Sequence, residues 1–190
     1  KFKKDFTFSS LVNFNNITSD FEIDNLENYN KNLLTNFFTP KLFKNIEGNQ
    51  NYFYCRDQYK SKNGISAMLR IKNEEMNIKN VLIGIVNVFD EIILVDNNST
   101  DKTLAIVNEL KEENVELSNK LKIYNYPFQV AKCGIDNFNT HPDSLRSLAY
   151  FYNYSLSKCN FSYVMKWDGD MFLPSFLKND FKNYISKLTK

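Results

Sequence analysis

The apolar run in "EIILVD" constrains the fold of this chain more than any other stretch. Residues 92–95 are four consecutive apolar residues, and an acid stands on each side of them, Glu91 and Asp96. Side chains alternate between the two faces of a sheet, so such a run suits a strand that is buried on both faces. Strands of that kind belong to parallel sheets with helices on both sides. The run therefore predicts a central strand of an α/β protein.

Strand and helix patterns alternate around this run. Residues 65–71, 121–124 and 161–167 also have strand patterns. Apolar residues spaced three and four positions apart predict helices between the strands. The three stripes are Ile78, Val81, Leu82, Ile85, Val86 and Phe89; Thr103, Ile106, Val107 and Leu110; and Leu145, Leu148, Ala149, Tyr152 and Leu156. Ser99 or Thr100 is predicted to cap the second helix. This order predicts an α/β fold with a mainly parallel sheet and helices on both faces.

The first 60 residues have a different character. They mix Phe, Asn and Lys with weak periodicity, and we predict a helix at residues 25–37, before Pro40. We interpret residues 1–60 as an N-terminal extension of unknown role and residues 61–190 as the functional domain. Because the sequence opens with Lys1 and stops soon after its last motif, we expect a fragment of a longer protein.

Charge and cysteine usage narrow the function classes. The 24 basic and 22 acidic residues give a net charge of +2, without a basic block, which argues against a nucleic-acid partner. No apolar run approaches the length of a membrane span. Three cysteines without paired spacing argue against a disulfide framework or a zinc site. We expect a cytoplasmic protein, with peripheral membrane attachment as the alternative. His141, the single histidine, is interpreted as a loop residue.

Polar residues collect where the predicted strands end. Ligands of open α/β sheets bind at the carboxyl ends of the strands, and these ends share one edge. The residues concerned are Arg70, Lys72, Asn73 and Glu74 after the first strand, Asp96, Asn97 and Asn98 after the second, and Asp168 and Asp170 after the fourth. Three clusters on one edge indicate a binding site. Taken singly, Arg70 and Glu74 could equally form a solvated ion pair.

The acidic pair Asp168-Gly169-Asp170 is the most specific of the three clusters. Two carboxylates on a tight turn suit a hard divalent cation such as Mn²⁺ or Mg²⁺, which prefers oxygen ligands. Gly169 would let the backbone approach closely. The alternative is a simple turn signal, since Asp-Gly is a common turn dipeptide.

Three stretches, "MLRIKNEEMNI", "EIILVDNNSTDKT" and "KWDGDMF", occur in this order between about residues 64 and 174. Together they resemble the donor-binding half of family-2 glycosyltransferases with the GT-A fold. The resemblance implies a Rossmann-like nucleotide-sugar domain in residues 61–190, truncated in its acceptor half. The roles implied are base recognition for Asp96, a border of the nucleotide for Arg70, Asn73, Glu74 and Asn98, and contacts with ribose and metal for Asp168 and Asp170. Asn153 matches a family asparagine, with Tyr152 in place of the frequent arginine.

The implied activity is that of an inverting, metal-dependent glycosyltransferase, as in polysaccharide biosynthesis. Its donor would be a nucleotide sugar, with a UDP-sugar favoured, and its acceptor a glycan, a lipid or a protein. The catalytic base is expected beyond Lys190. Two other functions stay open from the residues alone. One is a phosphohydrolase of the haloacid-dehalogenase type with Asp168 as nucleophile, and the other is a non-catalytic nucleotide-binding module.

Overall fold

The computed structural model describes residues 41–56 and 62–188, all within one compact unit that spans Pro40–Lys190. Its strands are β1 Lys41–Phe43, β2 Tyr54–Arg56, β3 Lys62–Ile71, β4 Glu91–Asp96, β5 Leu121–Asn125 and β6 Phe161–Asp168. Its helices are α1 Ile78–Ile85, α2 Thr103–Glu113, α3 Val115–Lys120, α4 Ile135–Phe138, α5 Leu148–Lys158 and α6 Lys178–Leu188. Short 3₁₀ helices lie at Gln50–Tyr52 and Ser175–Leu177. The helix predicted at residues 25–37 lies outside the described residues.

The central sheet has the strand order β5-β4-β3-β6, and each neighbouring pair is parallel. This confirms the predicted α/β fold with a mainly parallel sheet. All six residues of β4 are buried, as the apolar run predicted. The register places Ile71 beside Asp96 and Arg70 beside Asp168. The carboxyl ends of β3, β4 and β6 therefore share one edge.

Side chains of the central strands alternate between two cores. Leu69 and Leu94 pack in a core that α1, α2, α3 and α6 complete. Met68 and Ile93 face the opposite core, where Tyr126 and aromatic residues of α5 pack. Each fully buried Leu or Ile contributes about 1.5–3 kcal/mol, so both faces of the sheet favour this topology. The prediction of helices on both faces is confirmed.

Two helix starts differ from the sequence prediction. Helix α2 begins at Thr103, and it is Asp101 that accepts a hydrogen bond from the Thr103 N–H at 3.0 Å. The prediction that Ser99 or Thr100 caps this helix was therefore wrong. Helix α5 begins at Leu148, and the Ser147 hydroxyl accepts from the Tyr150 N–H at 3.3 Å. Local periodicity locates a helix better than it locates the residue that starts it.

Residues 41–56 pack against the aromatic core. The Tyr52 ring meets the Tyr126 ring edge-on at 5.6 Å, and the Tyr150 hydroxyl donates to the Tyr52 carbonyl at 2.9 Å. Tyr54 is buried in the same cluster. These residues thus contribute to the core beneath α5. Among the helices of residues 41–56 and 62–188, none has the length and apolar character needed to cross a membrane.

Candidate functional site

Asp96 ends β4 as a buried acid, with 2% of its surface exposed. Its Oδ2 accepts a hydrogen bond from the Ser99 N–H at 3.1 Å. Its Oδ1 is buried and has no hydrogen-bond partner among the described residues. A buried acceptor without a partner costs about 1–3 kcal/mol, and more when it is charged. Asp96 therefore holds an acceptor position that a ligand can fill.

The loops after β3 and β4 are fastened to each other by hydrogen bonds. The Asn73 N–H donates to the Ser99 hydroxyl at 2.9 Å, and the Thr100 N–H donates to Asn73 Oδ1 at 2.8 Å. The Glu74 N–H donates to the Thr103 hydroxyl at 2.7 Å. Asn73 and the exposed Asn98 both have positive φ, 56° and 58°, a region that asparagine tolerates better than most residues. The two loops therefore form one preorganised rim.

Arg70 reaches this rim from β3. The centre of its guanidinium lies 3.0 Å from the Tyr152 ring centroid and 5.4 Å from that of Phe151. Its Nε is buried without a hydrogen-bond partner in the described part of the chain. Burial lowers the pKa of Arg70, while Tyr152 and Asp168 act in the opposite direction. A guanidinium stays charged in proteins, so Arg70 offers a stacked, partly dehydrated cation. Asn153 follows Tyr152 on α5.

The acidic turn after β6 lies against Glu74. A Cβ atom at Gly169 would lie 2.7 Å from Glu74 Cγ and 3.2 Å from Ile71 Cγ2, so only glycine fits without a shift. Asp168 Oδ2 accepts from Lys166 Nζ at 2.9 Å, and this bond raises the pKa of Lys166. Asp170 is exposed on the turn. Glycine thus permits the close packing of this turn against Glu74.

The donor set of this turn fits a hard cation. It consists of carboxylate oxygens, which Mg²⁺ and Mn²⁺ prefer. Nowhere in residues 41–56 and 62–188 do three or more His, Cys, Asp or Glu side chains cluster closely enough to hold a metal. An ion at Asp168 and Asp170 would therefore keep positions for water or for phosphate oxygens, as Mg²⁺ usually does.

An open cleft of about 580 Å³ lies at the same edge of the sheet. Its lining includes Lys72 and Asn97 from the two strand ends and Lys132, His141 and Arg146 from the following loops. Ile46, Gln129, Val130, Ala131, Asp136, Asn139, Thr140 and Ser144 complete it. The sequence predicted no role for Lys132 or Arg146. The signal available was the length and polar character of the connection between β5 and α5.

Residues 66–133 match the model of the family described as Glycosyl transferase family 2. The matched segment contains most of β3, all of β4 and β5, and the fastened loops. None of the curated proteins matches the chain.

Similar solved structures include residues 1–349 of TarS from S. aureus, with 21% identity, 65% of this chain and 32% of that chain covered, and a TM-score of 0.42. Glucosyl-3-phosphoglycerate synthase from M. tuberculosis has 20% identity, with 69% and 42% covered and a TM-score of 0.42. TarS is also solved with UDP, and the synthase with Mn²⁺, UDP-glucose and phosphoglyceric acid. The chain spans less than half the length of either protein.

The similarity to this family rests on the family match over residues 66–133 and not on these distant structural likenesses. It includes Asp96 with its unpartnered oxygen and the loop residues 73–75 and 97–103. Over residues 66–133, the chain is similar to the family described as Glycosyl transferase family 2.

Proposed function

We propose that this chain binds the nucleoside diphosphate of a sugar donor at the carboxyl edge of its sheet and serves an inverting glycosyl transfer. One observation carries the proposal. The buried Asp96 keeps an unpartnered oxygen, and the acidic turn after β6 lies on the same edge of the sheet. A base reader and a metal site on one edge are what a nucleoside diphosphate requires.

Asp96 favours a base with one N–H to offer. Its Oδ2 already accepts from Ser99, so only Oδ1 is free to accept. Uracil presents a single imide N–H, whereas guanine presents neighbouring N–H groups that would need both oxygens. UDP is therefore the proposed donor nucleotide.

Asp168 and Asp170 are the proposed holders of Mn²⁺ or Mg²⁺. The cation supplies charge neutralisation for the departing diphosphate. Arg70 stands beside Asp168 in the register and is stacked on Tyr152, so it would add a guanidinium contact to a diphosphate oxygen. The rim residues Asn73, Glu74 and Asn98 would border the nucleotide. The sugar would pass, with inversion, to a hydroxyl of a glycan, lipid or protein acceptor.

The phosphohydrolase alternative has less support. It assigns a role to Asp168 alone, whereas the family match lies on β3, β4 and β5. It also leaves the unpartnered oxygen of Asp96 without a role.

Calorimetry with UDP, with and without Mn²⁺, tests the proposal. We expect Mn²⁺ to tighten UDP binding, and Asp170→Ala to abolish that gain, because a carboxylate ligand is lost. Asp180→Ala removes an exposed acid of α6 and is the matched control, which should behave like the unchanged chain. Equal UDP affinity with and without metal, or a gain that survives Asp170→Ala, would refute the metal assignment.

A further inference from the structure

The cleft beside Asn97 carries more positive than negative charge. Its lining contains Lys72, Lys132 and Arg146 but one acid, Asp136. Within residues 41–56 and 62–188, none of these three cations forms a close ion pair with a carboxylate, although Arg146 interacts electrostatically with Glu47. Cations gathered in a concave site with few acids beside them attract an anionic ligand.

The walls of the cleft are fixed by hydrogen bonds to backbone carbonyls. Asn97 Nδ2 donates to the carbonyls of Tyr126 and Phe128, at 2.9 and 2.7 Å, which anchors the segment that leads to Lys132. The Ala131 N–H donates to the Arg146 carbonyl at 2.8 Å, which joins the loops that carry Lys132 and Arg146. The cleft is therefore preorganised.

A second brace comes from the segment before β2. The Ile46 N–H donates to the Asp143 carbonyl at 3.0 Å. Glu47 accepts from the Ser144 hydroxyl and from the Leu145 N–H, and the Arg146 N–H donates to the Ser144 hydroxyl at 3.1 Å. Glu47 is not among the residues that line the cleft, although its charge interacts with that of Arg146.

We propose that this cleft binds a phosphate group, independently of a divalent metal, through Lys72, Lys132 and Arg146. The volume of about 580 Å³ is in the range of small-molecule sites. The cleft lies at the β4 and β5 side of the edge, whereas the acidic turn follows β6, and β3 stands between β4 and β6. Since the proposed function places the donor diphosphate at the acidic turn, the phosphate in the cleft would belong to a phosphorylated acceptor. The inference extends the proposed function but does not depend on the acidic turn.

Binding of glucose 6-phosphate to the full chain in EDTA, with glucose as the uncharged comparison, tests the proposal. We expect the phosphate ester to bind and glucose not to bind. Lys72→Ala with Lys132→Ala should weaken the binding about tenfold or more, since contacts with a charged group are lost. Both side chains are exposed, so the variant should fold. The control is Lys79→Ala with Lys187→Ala, two exposed lysines outside the cleft, and it should bind like the unchanged chain.

Competition tests the assignment to an acceptor. UDP with Mn²⁺ should bind alongside glucose 6-phosphate, whereas displacement of glucose 6-phosphate by UDP would give the phosphate site to the donor and overturn that assignment. Asp170→Ala should leave this binding intact, which separates it from the proposed metal site. Equal behaviour of glucose and its phosphate, or of the cleft variant and its control, would overturn the proposal.

Discussion

The two ends of β4 carry acids that are about equally buried but differ in the hydrogen bonds they accept. Glu91 and Asp96 are 4% and 2% exposed. Glu91 accepts from the Ser66 hydroxyl at 2.8 Å, from Lys122 Nζ at 2.7 Å and from Asn160 through its backbone N–H at 2.9 Å and its Nδ2 at 2.6 Å. Asp96 accepts from the Ser99 N–H and leaves Oδ1 unpartnered within the described residues. The chain thus satisfies the hydrogen bonds of Glu91 and leaves one oxygen of Asp96 without a partner, although buried polar groups are normally paired.

This contrast holds for the two edges of the sheet. At the amino edge, Glu91 connects β3, β5 and the start of β6 through Ser66, Lys122 and Asn160. The buried side-chain atoms that lack a partner in the described ranges are Arg70 Nε and Asp96 Oδ1, and both residues stand near the carboxyl edge. The polypeptide satisfies the buried acid at the amino edge and leaves two buried polar atoms without partners near the carboxyl edge.

The largest expected effect is on stability, at the amino-terminal end of β4. Glu91→Gln removes a charge from a network of four hydrogen bonds and should cost about 2–3 kcal/mol of unfolding free energy. Asp96→Asn removes a charge whose Oδ1 has no partner and should cost less than about 1 kcal/mol. Urea denaturation of both variants at pH 7 measures the difference. An equal loss of unfolding free energy in the two variants would contradict the expected difference between Glu91, which has hydrogen-bond partners, and Asp96, which lacks one.

Low pH should remove the stabilisation that Glu91 provides at the amino-terminal end of β4. Burial alone would raise the pKa of Glu91, but the hydrogen bonds from Lys122, Asn160 and Ser66 outweigh it, so the pKa lies below its ordinary value of 4.5. Since the folded pKa is depressed, the stabilisation is present above pH 4.5 and is lost as the pH falls through the folded value. The unfolding free energy of Glu91→Gln should therefore fall less steeply below pH 4.5 than that of the unchanged chain.

The next effect is on ligand binding, at the carboxyl-terminal end of β4. Asp96→Asn should weaken UDP binding by about 1.5–3 kcal/mol, roughly 10- to 150-fold, because a hydrogen bond to a charged group is lost. Binding of pyrophosphate with Mn²⁺ should change little, since pyrophosphate has no base. Glu91→Gln, measured where it is folded, is the control and should keep the UDP affinity. If UDP, GDP and pyrophosphate bind the unchanged chain alike, Asp96 does not read the base.

The sequence predicted those features that depend on local patterns. The run at residues 92–95 indicated the central strand, and the positions of Asp96 and Asp168 followed from the strand ends. Contacts between distant loops were not predictable in this way. Local sequence predicts Ser99 as a helix cap, but its hydroxyl accepts a hydrogen bond from the Asn73 N–H across the rim. Lys132 and Arg146 approach each other because Ala131 pairs with the Arg146 carbonyl, and no periodicity marks that pairing.

The smallest expected effect concerns Glu47, an exposed acid with complete partners. Burial raises its pKa, but the hydrogen bonds from Ser144 and Leu145, together with the charge of Arg146, outweigh it, so the pKa of Glu47 lies below 4.5. As for Glu91, its stabilisation is present above pH 4.5 and lost in acid, but water screens an exposed carboxylate. Glu47→Gln should therefore cost less than about 1 kcal/mol at pH 7.

Urea denaturation of Glu47→Gln beside Glu91→Gln completes the comparison, because both acids have accepted hydrogen bonds and differ in exposure. Glu47 has hydrogen-bond partners but is exposed, so its variant should lose little stability. Glu91 has partners and is buried, so its variant should lose much more. Asp96 is buried without full partners, so its variant should lose little stability but much of its UDP affinity. If Glu47→Gln destabilises the chain as much as Glu91→Gln, exposure does not separate the two acids. Burial would then be no guide to why Asp96 is left incomplete, and its assignment as the base reader would lose its physical reason.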